Sequence, residues 1–149
     1  MMKYKHYIII LLTCIFTSLS YGQTEINASL LEGTWKLNIT ETLNSMEPSK
    51  KVTWNSMQSE SRERISQHYK DRKILLSPEG DYTLTLTNGQ TSKGTWLYNS
   101  DTKTLKITHV NGKTSSQKVQ LLNDSELVLV PEQKINHTIL LSKLYYTKN

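Results

Sequence analysis

Any chemistry in this 149-residue chain would have to start from four histidines, one cysteine and thirteen acids. Beyond the first 22 residues the histidines are His68, His109 and His137, and none stands at metal-chelating spacing from another. Glu79 and Asp81 flank Gly80 in one proline-led turn, so they read as turn chemistry. A carboxylate pair working as acid and base would have to converge from neighbouring elements. No nucleophile elbow, H-E-x-x-H helix or phosphate-cradling glycine loop occurs. One cysteine, Cys14, supports neither a disulfide framework nor a thiolate metal centre. The expectation is a protein that is not an enzyme and that carries no metal and no cofactor.

What remains is recognition by apolar side chains, which only elements of regular period can gather on one surface. Residues 82–87 alternate Tyr82, Leu84 and Leu86 against three threonines, the period of two that marks a half-buried strand. Alternating or short apolar runs recur at 33–40, 73–77, 90–98, 104–110, 116–122, 125–130 and 137–147. Turn residues separate them: Pro78-Glu79-Gly80, Asn88-Gly89 and Asn111-Gly112, the last two read as two-residue hairpin loops. Eight strands at this spacing, with no long Greek-key connection, predict an all-β, up-and-down antiparallel barrel. One stretch departs from the pattern. Residues 55–71 lack glycine and proline, and Met57, Ser61, Ile65, His68 and Tyr69 recur at helical spacing, which predicts one amphipathic helix between the first two strands. Residues 30–32 are expected to form a short helical turn before the first strand.

The first 22 residues read as a leader. Lys3 and Lys5 precede an apolar run at 8–16, and Ser20-Tyr21-Gly22 offers a small-x-small exit, the pattern of a secretory signal peptide. The apolar run is too short for a stable membrane anchor. The expected domains are therefore a signal peptide at 1–22 and a barrel at 23–149, with an exported product, periplasmic or secreted. Loss of the leader takes two lysines and lowers the net charge from +5 to +3, and the remaining cations are scattered. Nucleic-acid binders cluster theirs among aromatics, so no nucleic-acid partner is expected. A monomer is.

Gly33-Thr34-Trp35 opens the first strand, and Gly94-Thr95-Trp96 repeats the triplet. A glycine-x-tryptophan at that place, followed by seven meander strands, resembles the lipocalin-like domains of exported bacterial proteins. The resemblance covers residues 30–147. In such domains the first tryptophan packs across the closed end of the barrel, and strand parity independently brings Trp35, Tyr82, Trp96 and Tyr98 inward at one end as a structural plug. The main lipocalin family also has an arginine on its last strand, where the nearest basic residue here is Lys143.

The resemblance implies a small apolar or amphipathic ligand held inside the barrel. On that reading Leu86, Ile107, Val119, Leu129 and Ile139 would line the upper cavity, with His109 at the mouth and Met57, Ile65 and Tyr69 on a helical lid. The competing expectation is a structural or protein-interaction domain of the cell envelope, its core filled and without a ligand; an eight-stranded barrel is narrow enough for either.

Overall fold

Period-two alternation becomes, in a computed structural model describing residues 28–132 and 141–149, eight strands: β1 Gly33–Leu37, β2 Lys73–Leu76, β3 Asp81–Thr85, β4 Thr91–Asn99, β5 Thr104–His109, β6 Thr114–Leu122, β7 Glu126–Pro131 and β8 Leu144–Lys148. Each pairs antiparallel with the next, and β8 returns to β1 through Trp35↔Lys148, Lys36↔Thr147 and Leu37↔Tyr146, so the sheet closes. Closure leaves no strand edge open to another chain. The up-and-down barrel is the fold expected, including the β3–β4 and β5–β6 hairpins. Residues 1–22, read as the leader, lie outside the described residues, as does Ile139.

Three of the hairpins share one turn. In each, a residue at the end of the strand or just past it accepts from the glycine three positions on, and the chain recloses one residue later: Ser77 around Pro78-Glu79-Gly80, Leu86 around Thr87-Asn88-Gly89, His109 around Val110-Asn111-Gly112. These are three-residue loops, where the asparagine–glycine pairs had predicted two-residue loops. Gly80, Gly89 and Gly112 all carry positive φ, whereas Asn88 and Asn111 do not. A two-residue type I′ loop needs positive φ at both positions, so the single left-handed residue selects the longer loop. Each asparagine instead turns its Oδ1 to the amide two residues on, at 3.1 Å from Gln90 and 3.0 Å from Lys113.

The first strand ends at Leu37, three residues earlier than expected. Asn38 breaks it by accepting Glu41 N–H on its Oδ1 at 3.1 Å, which caps a helix. Three helices then fill the β1–β2 connection where one was expected: α1 Ile39–Asn44, α2 Pro48–Ser56 and α3 Ser59–Tyr69. Pro48 stands at the start of α2, where its missing N–H costs nothing. Thr53 and Ser56 bond back to carbonyls of their own helix, a competition that weakens α2 toward its end; Met57 and Gln58 are then extended. The expected helix is thus present as α3, with Asn55 and Ser56 belonging to its predecessor. It stops at Tyr69, because Asp71 adopts left-handed backbone (φ 56) and ion-pairs with Lys36 at 2.7 Å. The expected turn of helix before β1 is a 3-10 turn at Ala28–Leu31.

Inside the barrel, Trp35, Leu37, Ile74, Leu76, Tyr82, Leu105, Ile107, Val119, Leu127, Leu129, Leu144 and Tyr146 form one continuous buried cluster, joined by Leu31, Met46 and Leu141. Burial of this many large side chains is the main drive to fold. Helix α1 belongs to this core, since Thr42 is buried and its Oγ1 accepts Tyr145 N–H at 3.1 Å. Helices α2 and α3 bury no residue completely.

Candidate functional site

The two ends of the barrel differ in kind. At the end where β1 begins, Trp35 is fully buried, its indole N–H donates to the Leu31 carbonyl at 2.7 Å, and the Lys148 ammonium sits 5.0 Å above its ring. Lys148 lies directly across from Trp35 on β8. The basic residue of the last strand is Lys148, and Lys143 precedes β8. Gly33 makes room for it: a Cβ there would stand 3.0 Å from Lys148 Cε. Trp96 is half-buried at the rim of the same end, donating to the Ser77 carbonyl at 2.9 Å. Tyr98 is also half-buried, and its hydroxyl is enclosed without a hydrogen-bond partner.

Tyr82 departs from this set. It is buried, but its ring meets His109 edge-on, with centroids 5.9 Å apart. The two face each other across Gly94, which pairs with both and has no side chain to separate them. A Cβ at Gly94 would run into the Thr108 carbonyl oxygen and stand 3.0 Å from His109 Cα. His109 Nδ1 also lies 3.3 Å from Ser92 Oγ. Plug and mouth residues thus touch through the barrel interior. Burial pushes the Tyr82 hydroxyl up to about 12, and drives that of Tyr146 higher still.

Of the expected ligand-lining residues, Ile107, Val119 and Leu129 are buried in the continuous core. Met57, Ile65 and Leu86 are half-buried, and half-buried Tyr69 packs against that core. At the helix-covered end a groove of about 280 Å³ opens between α3 and the β3–β4 turn, walled by Gln67, His68, Leu86, Thr87 and Asn88. Thr87 holds its two sides together, its hydroxyl reaching the Gln67 carbonyl at 2.9 Å and that of Lys70.

Arg72 closes the same end, and its role was not foreseen. It follows the left-handed Asp71, and its parity with the buried Ile74 and Leu76 turns it inward. Its guanidinium stacks 4.3 Å from the Tyr69 ring centroid, and Nη2 lies 3.1 Å from His68 Nε2. It also stands near enough to the Tyr146 hydroxyl to oppose the upward push of burial there. Nε is buried with no acceptor. Among the described residues no carboxylate pairs with Arg72; the ion pairs are Lys36–Asp71 and Lys118–Glu132. The alternation Arg72, Ile74, Leu76 was the signal available, one residue ahead of the strand's first expected member.

No family model matches the chain, and no curated protein does. Among solved structures it is similar to a DUF4847 family protein from Bacteroides vulgatus, at 17% identity, with a TM-score of 0.46 over 78% of this chain and 92% of that one. Among the described residues no helix is long and apolar enough to cross a membrane, and no group of three His, Cys, Asp or Glu side chains comes together as metal ligands would.

Proposed function

We propose that the protein is an exported, monomeric, lipocalin-like barrel that is not an enzyme and that binds one small amphipathic molecule at its helix-covered end. The observation that carries this reading is the groove between α3 and the β3–β4 turn, where apolar Leu86 faces His68 and, one contact further, the guanidinium of Arg72. An apolar wall beside a few convergent polar groups is the usual character of a small-molecule site. Export rests on the lysine, apolar and small-residue pattern of residues 1–22.

Native mass spectrometry of protein prepared from its own envelope fraction tests the reading. A reproducible small adduct, lost on organic extraction and diminished by Leu86→Asp, is the expected result. Absence of any adduct, with no heat of binding for medium-chain amphiphiles, would overturn it.

The second reading, a filled-core interaction domain without a ligand, is favoured by one observation. Ile107, Val119 and Leu129 pack with Trp35 and Leu127 in one unbroken core, leaving their side chains engaged with each other. Under it, Leu86→Asp changes stability and nothing else.

A further inference from the structure

Arginine is the most conspicuous side chain at the helix-covered end, and its surroundings are incomplete. A guanidinium has five N–H donors in a planar fork, carries a fixed charge and has no acceptor. The stacking of Arg72 on Tyr69 and the approach of Nη2 to His68 Nε2 hold that plane in place. Arg72 can only donate, so a hydrogen bond between the two has His68 Nε2 as its acceptor. Nε, buried and without an acceptor, is the unfilled position, and a buried donor left unmade is costly. No acid within the described residues satisfies it. The neighbouring Asp71 carboxylate is engaged by Lys36 at 2.7 Å and so does not serve Arg72.

We propose that Arg72 is an anion-recognition residue, and that the ligand of this end carries a carboxylate which takes the Nε–H of Arg72 and replaces His68 at Nη2. This deepens the proposed binding function and rests on it. A planar carboxylate matches two parallel guanidinium N–H groups, the strongest form of side-chain hydrogen bonding. His68 links the two halves of the site. Its ring walls the groove that also contains Leu86, while its Nε2 touches the guanidinium. An anion seated at Arg72 therefore has an apolar wall next to it for the rest of the molecule.

The test compares decanoate with decanol, equal in chain length and different in charge, by calorimetric titration at neutral pH. Wild-type protein is expected to bind decanoate at least about tenfold more tightly, in line with a charge-assisted pair. Arg72→Gln should abolish the preference, bringing the decanoate-to-decanol affinity ratio to about one, while Arg72→Lys restores part of it. In the wild type, where folding of a variant is not at issue, the Arg72 Nε–H resonance should move with decanoate and not with decanol. Equal binding of both ligands, or a resonance indifferent to decanoate, overturns the carboxylate assignment while the binding function stands. No binding of either ligand overturns both.

Discussion

Trp35 concentrates several interactions in one side chain. It is fully buried, its N–H is satisfied by Leu31, and the ring faces the Lys148 ammonium. Trp35→Ala is expected to cost about 3–5 kcal/mol, the range for large aromatic truncations in cores. That is a large part of the total stability of a small domain. Urea melts measure it, and a loss below about 1 kcal/mol would show that the plug is not holding this end. Tyr82 makes a prediction of a different kind. Burial raises its hydroxyl from 10.0 to about 12, so the unfolded chain loses that proton first as pH rises. The stability it supports is fully present below pH 10 and is lost as pH climbs through about 12. With roughly 1.4 kcal/mol per pKa unit, the fall amounts to about 3 kcal/mol. Tyr146 shifts in the same direction. Tyr82→Phe should flatten the decline, read from urea midpoints between pH 9 and 12 alongside tyrosinate absorbance, where roughly one group's share of the linkage disappears.

At the scale of elements, the helices and the strands are held by different means. Strands β3 and β4 are paired over five consecutive residues, whereas α2 and α3 bury no side chain fully. Elements with little buried surface open most readily. Amides at 48–69 are therefore expected to exchange faster than those at 81–95, and equal protection would make the helices a fixed wall. Thr87 is the tether that limits this opening, because its hydroxyl meets both the Gln67 and Lys70 carbonyls. Thr87→Val should raise exchange across 59–69 and leave the strand amides unchanged. Gly94 sets the opposite case, a position with no slack. Its backbone approaches β5 so closely that Gly94→Ala would press on Thr108 and His109 and cost about 1–3 kcal/mol, as overpacking does. A melting temperature equal to the parent's would show that the two strands can separate to admit a methyl group.

For the molecule as a whole, the decisive interaction is the return of β8 to β1. It is made at the greatest separation in sequence, and it also joins β7 through Leu127↔Tyr146 and Leu129↔Leu144. Removing residues 144–149 would leave β1 and β7 with unpaired edges and take Leu144 and Tyr146 out of the core. The shortened chain should lose its cooperative urea transition and elute from a sizing column as aggregate. A folded, monomeric product would mean that a seven-stranded sheet suffices.

Much of this was legible from local rules. Alternation at 82–87 and the glycines of the turns predict strands and hairpins, because side-chain direction in a strand and positive φ at a turn are decided within a few residues. The stripe Met57, Ser61, Ile65, His68 and Tyr69 likewise predicts α3, although Met57 precedes the helix and His68 is exposed while the other four are half-buried. Asn38, by contrast, has the sequence of a strand continuing, and only the competition between its cap hydrogen bond and the sheet ends β1 there. The contact of Tyr82 with His109 was equally hidden, since it depends on Gly94 standing between them in three-strand register. Arg72 is the clearest instance: its parity is written in the sequence, but its lack of an acid partner and its stacking on Tyr69 exist only once α3 is folded over the barrel end. Sequence by itself determined the order of the strands, the places of their turns and their inward faces, which depend on neighbours along the chain. The tertiary structure decided which side chains meet across the interior and which polar groups are left unanswered, because those depend on distances between residues that the chain keeps far apart.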